Sequence, residues 1–488
     1  DDFDEWSKSL IETLSKADDA TMNISQNVAK SSQSTPQERM ETVGSGGLIR
    51  DEKSLANCAS LHSSQFSELL LNDHYPEGRV TKKDLFAYPN FYAEGTFQLK
   101  IVSNRGLAPC QDSLREAIVS LSGHPMGNYE VGDLLWIYPQ NHPVQVAAYA
   151  KAVGANPFAI IEEVKKAEIA TEGNVKSRPY PYPIGLTVSE TLQNCVDLGA
   201  CPSLSLARAI LGPNVDYKSA VVEPRRTTLD LLLEPGSNKL SLSDLLFQLP
   251  PMRPRYYSIA SSPTVHPHEI MIVYRPVKYV TSRGELREGV ATSYLSNTVP
   301  SFDDDEYGEH KRENIPTIAA GIMRNPAFRL PKDDPLKPIM MIAGGCGIAP
   351  FRSFLDERLS LVHSGGKIVG DAYLFFGVRN EDDEVYNTII EHSLESGALS
   401  KAVISHSNSC CGSRFVASDI TAHGALVYDL LQRGGNVYLC GGASGLAWTC
   451  VEAIKAVIVE HGKMSVEDGE HYFAKLLEEG RYAEDISD

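Results

Sequence analysis

No C-x-x-C pair occurs among the nine cysteines, which stand at 58, 110, 195, 201, 346, 410, 411, 440 and 450. A structural zinc or iron–sulfur site therefore finds no ligand spacing, and no metal site is expected. Their placement does not read as a disulfide framework either, which fits a reducing compartment, and the vicinal Cys410-Cys411 reads as a reduced loop feature. Long apolar runs are missing: no stretch reaches the roughly 18 residues of a membrane-spanning helix. Positive charge is scarce, with 45 Lys and Arg against 63 Asp and Glu and a net charge of −18. That balance argues against nucleic acid and leaves an acidic surface suited to docking a basic partner. The chain opens Asp1-Asp2-Phe3-Asp4, neither an initiator Met nor a signal peptide, so it reads as part of something longer. No internal repeat is visible.

What is present is an ordinary globular composition, 42% hydrophobic and 22% charged over 488 residues, enough for two or three domains at roughly 150 residues each. Residues 3–15 set Phe3, Trp6, Leu10, Ile11 and Leu14 on one helical face. Residues 16–83 are rich in Ser, Asn, Gln and Asp and read as a flexible linker. From Asp84 the pattern turns strand-like: Thr96–Val102 alternates as a half-buried strand does, and Tyr129–Pro139 is a turn followed by a buried strand. Residues 146–248 are mostly helical, and Thr187-Val188-Ser189-Glu190 carries helix-start chemistry. Strand-like sequence resumes at about residue 249 and runs to about 332. From 333 to the end strands and helices alternate, with strands expected at Ile339–Ile342, Asp371–Phe376, Lys401–Ile404 and Asn436–Leu439. This pattern predicts an α/β doubly wound parallel sheet, whose ligands sit at the carboxyl ends of the strands.

Three segments carry the chemistry. In Arg255-Tyr256-Tyr257-Ser258-Ile259-Ala260-Ser261-Ser262 an Arg can pair with a phosphate in fork geometry. A Tyr ring there can cover an aromatic plane, and a small hydroxyl can approach a reactive edge. Gly289-Val290-Ala291-Thr292 makes a strand-to-helix transition whose helix N-terminus offers N–H groups to a pyrophosphate. Met340–Phe351 is an apolar strand running into the glycine loop Gly344-Gly345-Cys346-Gly347. With Val265-His266-Pro267 and the Tyr129…Gly132-Asp133…Tyr138-Pro139 pattern, these segments resemble the FAD- and NADPH-binding half of the diflavin reductases, from roughly residue 85 to the end.

The resemblance implies a ferredoxin-NADP reductase-like multidomain chain. Its parts would be an antiparallel β-barrel binding FAD (84–145 and 249–332), a helical connecting domain (146–248) and a nucleotide-binding domain (333–488). Residues 1–15 would be the last helix of a flavodoxin-like FMN domain that the 488 residues do not contain. The implied activity is that of an NAD(P)H-dependent flavoprotein reductase taking hydride from NADPH, or NADH, to FAD. Electrons would pass on to FMN on that other domain and then to a haemoprotein or other acceptor. The implied location is cytoplasmic, with membrane attachment open through a preceding segment. Arg255, Tyr256, Tyr257 and Ser258, with Val273, Tyr279 and Gly289, Val290, Ala291 and Thr292, would hold FAD. Gly345, Cys346, Gly347, Arg379, Ser405, His406, Arg414 and Cys440 would meet the nicotinamide nucleotide. Ser258, Cys440 and Asp485 would form the hydride-transfer constellation, although a buried Cys at a strand end serves a core equally well.

Several residues depart from the family pattern. A G-P-G-T-G loop is replaced by Ala343-Gly344-Gly345-Cys346-Gly347, exchanging a Thr hydroxyl for a weaker thiol donor. The family's 2′-phosphate clamp, Ser-Arg followed by K-x-Y-V-Q, is here Ser405-His406 and Ser413-Arg414-Phe415-Val416-Ala417, with Arg414 one residue from the Lys position. Losing one charged contact of this kind costs roughly 1–3 kcal/mol. The Asp after Cys-Gly is Gly442, and the terminal aromatic is Ser487. Two further readings stay open: a reductase-like part with a degenerate nucleotide site in a structural role, and the terminal reductase of a fusion enzyme such as a P450 fusion or a pyruvate:NADP+ oxidoreductase.

Overall fold

A computed structural model describes residues 68–72, 85–88, 91–108, 114–123, 129–165, 182–304, 310–366, 368–408 and 413–487. The expected remnant helix at 1–15, most of the 16–83 linker and the Cys410-Cys411 pair lie outside these residues. The chain divides into two compact units. One gathers residues up to Phe91 with Gln140–Met252 and Lys278–Val290; the other gathers Tyr92–Pro139, Arg253–Val277 and Ala291 onward.

The first unit is mainly helical. Thr187 caps the helix Val188–Asn194 with a full capping box, its hydroxyl accepting from the Glu190 N–H while the Glu190 carboxylate reaches back. Ser203 and Ser241 cap Leu204–Leu211 and Leu242–Gln248. Strands intrude on this helical pattern at two places. Glu68–Asn72, inside the stretch expected as linker, pairs antiparallel with Ile160–Lys165; three consecutive leucines give it an apolar run that a solvated linker lacks. A short hairpin pairs Lys278–Val280 with Leu286–Glu288.

The second unit carries two sheets. Strands β1 (Phe97–Gly106), β2 (Arg115–Ser120), β3 (Leu134–Tyr138), β4 (Arg255–Ser258), β5 (Glu269–Tyr274) and β6 (Thr317–Met323) form an antiparallel sheet in the order β4-β3-β6-β1-β2-β5. An isolated bridge between Ile259 and Ile272 links the two outer strands. Alternation in β1 puts Leu99 and Ile101 into the core and Gln98 and Lys100 outside it. Helix α1 (Val290–Asn297) anchors through Leu295, which is buried in the same cluster.

Strands β7 (Ile339–Gly344), β8 (Ala372–Val378), β9 (Lys401–His406), β10 (Asn436–Gly442) and β11 (Tyr482–Ser487) form a parallel sheet in the order β9-β8-β7-β10-β11. Both faces are covered, which is why β7 and β8 are apolar without alternation. Met341, Leu374 and Phe376 meet α2 (Ala349–Gly365) and α3 (Asn387–Glu395) on one face. Met340, Ile342 and Phe375 meet α4 (Val416–Ala422), α5 (Gly424–Gln432), α6 (Trp448–Gly462) and α7 (Val466–Glu478) on the other. Sequence periodicity missed β11. Its Glu484-Asp485 pair interrupts the apolar run, and an edge position tolerates that.

Candidate functional site

Ser258 ends β4, Cys440 lies near the carboxyl end of β10, and Asp485 is its register partner on β11. The fold brings these three expected residues together. The Ser258 hydroxyl donates to Asp485 Oδ2 at 2.6 Å. Cys440 Sγ lies 3.9 Å from both the Ser258 oxygen and the Asp485 carboxylate. Burial pushes the Cys440 thiol well above its ordinary value, and the Asp485 charge adds to that, so the sulfur is a neutral S–H. Burial also raises Asp485, against the hydrogen bonds from Ser258 and Cys440 that favour its charged form.

The glycine loop lies against this cluster. A Cβ on Gly347 would stand 2.1 Å from the Cys440 carbonyl oxygen, so the loop backbone and β10 approach as only glycine allows. Gly345, at φ +54°, has no atom within 4 Å of the place a Cβ would take. It opens onto a cavity of about 660 Å³ at the carboxyl ends of β7, β8 and β9, lined by Gly344, Gly345, Arg379, Ser405, Arg414 and Phe415 among others. That volume is in the range of small-molecule sites, and the position suits a doubly wound sheet. Open glycine backbone beside the cavity fits the phosphates of a nicotinamide nucleotide. Cys346, Gly347, His406 and Cys440 are outside its lining.

Each cation at this rim has an acidic neighbour that sequence reasoning missed. Arg379 Nε donates to Asp383 Oδ2 at 2.6 Å, and Arg275 pairs with the same carboxylate at 3.3 Å. His406 Nε2 is 2.7 Å from Glu384. Arg414 pairs with Asp419, whose other oxygen accepts from the Ser405 hydroxyl at 2.6 Å. The run Glu381-Asp382-Asp383-Glu384 was a visible signal for the first three contacts. Asp419 lies in the first turn of α4, where an acid is ordinary helix chemistry.

Of the expected flavin residues, Arg255 donates to the Arg253 carbonyl at 2.8 Å, and the Tyr256 ring is 54% exposed. Tyr257 meets Tyr274 edge-on with centroids 6.5 Å apart, its phenol pushed up by burial. Val273 is buried in β5. The Gly289–Thr292 segment opens α1, and Thr292 Oγ1 accepts from the Val277 N–H at 3.0 Å. Tyr279 belongs to the helical unit, where the Arg225 guanidinium sits 5.1 Å from its ring centroid. An exposed aromatic face beside an Arg, with a glycine-led helix start further along, fits a flat anionic cofactor such as FAD.

Comparison with known sequences agrees with this layout. A sequence model of the FAD binding domain matches residues 209–294, and one of the oxidoreductase NAD-binding domain matches residues 341–451. The chain is 26% identical over 422 residues to a Musca domestica NADPH–cytochrome P450 reductase, covering 82% of this chain and 60% of that protein. It is 28% identical over 418 residues to the Homo sapiens NADPH–cytochrome P450 reductase, covering 82% and 59%. It is 30% identical over 376 residues to the sulfite reductase [NADPH] flavoprotein alpha-component of Bacillus subtilis (strain 168), covering 76% and 57%. The chain thus spans between 57% and 60% of these relatives' length. Over most of its own length, it is a relative of the FAD- and nicotinamide-nucleotide-binding part of the diflavin reductases.

Proposed function

We propose that this chain is the FAD-containing, NAD(P)H-oxidising part of an electron-transfer flavoprotein, passing electrons to an FMN domain and then to a haemoprotein or other acceptor. The observation that carries this reading is the Ser258–Cys440–Asp485 cluster beside the glycine loop. FAD, when bound, supplies a two-electron acceptor that can release electrons one at a time. The chain's own residues position and exclude. Asp485 fixes the Ser258 hydroxyl by accepting its hydrogen bond at 2.6 Å. Cys440, buried and neutral, gives a soft apolar wall without a competing charge. Arg255 and the Gly289–Thr292 segment would take flavin phosphates, with Tyr257 and Ser258 toward the ring; the family resemblance assigns Val273 and Tyr279 to the flavin and adenine sites. Gly345, Cys346 and Gly347, together with Arg379, would take nucleotide phosphates.

The bridge between Ile259 and Ile272 supports reading the antiparallel sheet as a flavin barrel. The capped helices of the first unit support a helical connecting domain at 146–248. Among the described residues no helix is long and apolar enough to cross a membrane, and a cytoplasmic location is part of the proposal. The internal pairing of the clamp cations favours a second reading, a degenerate nucleotide site in a structural role.

Rapid mixing of the FAD-loaded protein with NADPH and with NADH tests both. Flavin bleaching at roughly 450 nm, the ordinary band of the cofactor, is the expected result. Absence of bleaching by either nucleotide, with flavin bound, would move the case to the structural reading.

A further inference from the structure

We propose that Asp419 sets which nucleotide the cavity accepts, favouring an adenosine with a free 2′-hydroxyl, as in NADH, over the 2′-phosphate of NADPH. This rests on the reading of the cavity as a nicotinamide-nucleotide site. A 2′-phosphate needs donors and cations not already committed elsewhere. Here the Ser405 hydroxyl gives its hydrogen to Asp419 Oδ2 at 2.6 Å, and the Arg414 guanidinium is drawn to Asp419 Oδ1. Asp419 is 1% exposed, so its charge is poorly screened and depends on those two partners. A phosphate that captured Arg414 would leave a buried carboxylate unpaired and bring a dianion close to it, both unfavourable. Neighbouring cations are engaged too: Arg379 and Arg275 share the one Asp383 carboxylate, and His406 Nε2 faces Glu384. A ribose 2′-hydroxyl asks less. It is neutral and leaves the Arg414–Asp419 pair intact, and the exposed Phe415 ring at the cavity offers a face to the base.

The test is equilibrium binding of NAD+ and NADP+ to the FAD-loaded full chain by titration calorimetry, since the two differ only in the 2′-phosphate. The wild-type protein is expected to bind NAD+ at least tenfold more tightly. Asp419→Asn, which removes the charge and keeps the shape, is expected to shift the ratio at least tenfold toward NADP+. A wild-type preference for NADP+, or equal affinities, overturns the proposal while leaving the nucleotide site intact. That arm needs no variant and stands even if Asp419→Asn does not fold. An unchanged ratio in folded Asp419→Asn also overturns it. Binding of neither nucleotide removes the underlying reading and the proposal together.

Discussion

Asp485 has two demands placed on it by its neighbours. Burial favours its protonated form, while the hydrogen bond from the Ser258 hydroxyl is stronger to its charged form. The first effect is the larger, so its pKa lies above the ordinary carboxylate value of about 3.9. As pH falls through that raised value the carboxylate takes a proton and its hold on the Ser258 hydroxyl weakens. Flavin reduction is therefore expected to show an acid limb above about pH 4, and Asp485→Asn should remove it; a limb that survives in the variant sinks the assignment. Cys440→Ala is expected to slow reduction roughly tenfold while nucleotide affinity stays within about threefold, the pattern of an interaction made chiefly at the reacting stage. An unchanged rate would return Cys440 to the core. Ser258, Cys440 and Asp485 were legible together through the family resemblance, and the fold makes them neighbours. Asp419 was not, since its partners Ser405 and Arg414 come from a strand end and the loop before α4, and only the fold makes them neighbours.

At the scale of elements, the junction of β7 and α2 places the site. Two glycines of one loop make opposite predictions there. Gly347 has no unusual φ but faces the Cys440 carbonyl, where a methyl would stand 2.1 Å from oxygen, and backbone on both sides leaves little room to yield. Gly347→Ala is expected to cost about 3 kcal/mol, at the upper end of overpacking penalties, and to shift β10. Gly345→Ala meets open space and suffers only from its left-handed φ, worth roughly 1–2 kcal/mol, yet its methyl would intrude on the cavity. Paired denaturant melts and nucleotide titrations should therefore rank the variants in opposite order. The same order in both measurements would refute the separation of roles. The sequence pattern found β7 to β10 and their helices, because buried parallel strands announce themselves by unbroken apolar runs. It missed β11 for the physical converse: an edge strand carrying two acidic residues need not be apolar. The strand at Glu68–Asn72 was missed because its partner, Ile160–Lys165, lies far along the chain, beyond the reach of local periodicity.

At the scale of the whole molecule, pH separates the carboxylates into two groups with opposite effects on stability. Burial lifts Asp356 and Asp485. Folding thus favours their protonated forms, and as pH falls from neutrality toward the ordinary carboxylate range they add stability. The net charge of −18 shrinks over the same interval, which relaxes self-repulsion. Asp133 and Asp383 run the other way. Burial would raise Asp133, but the Glu130 N–H, Arg329 and the Asn325 N–H together outweigh it and hold the carboxyl below its ordinary value. Asp383 is held down in the same way by Arg379 and Arg275. Their contribution is complete above the unfolded value and is lost as pH falls below about 4. Stability should therefore hold or rise slightly from pH 7 to 5 and then drop steeply. Asp133 immediately precedes β3 and ties it to the segment after β6 through Arg324 at 2.8 Å and the Asn325 N–H at 3.0 Å. Removing its charge leaves two arginines without their shared partner, and Asp133→Asn is expected to cost roughly 3 kcal/mol at pH 7. The variant should also lose less than the wild type as pH falls below about 4, because a carboxyl held below its ordinary value is gone. Denaturant midpoints across that range decide the point: an acid limb equally steep in the variant would mean that the drop comes from the many exposed carboxylates rather than from this buried one.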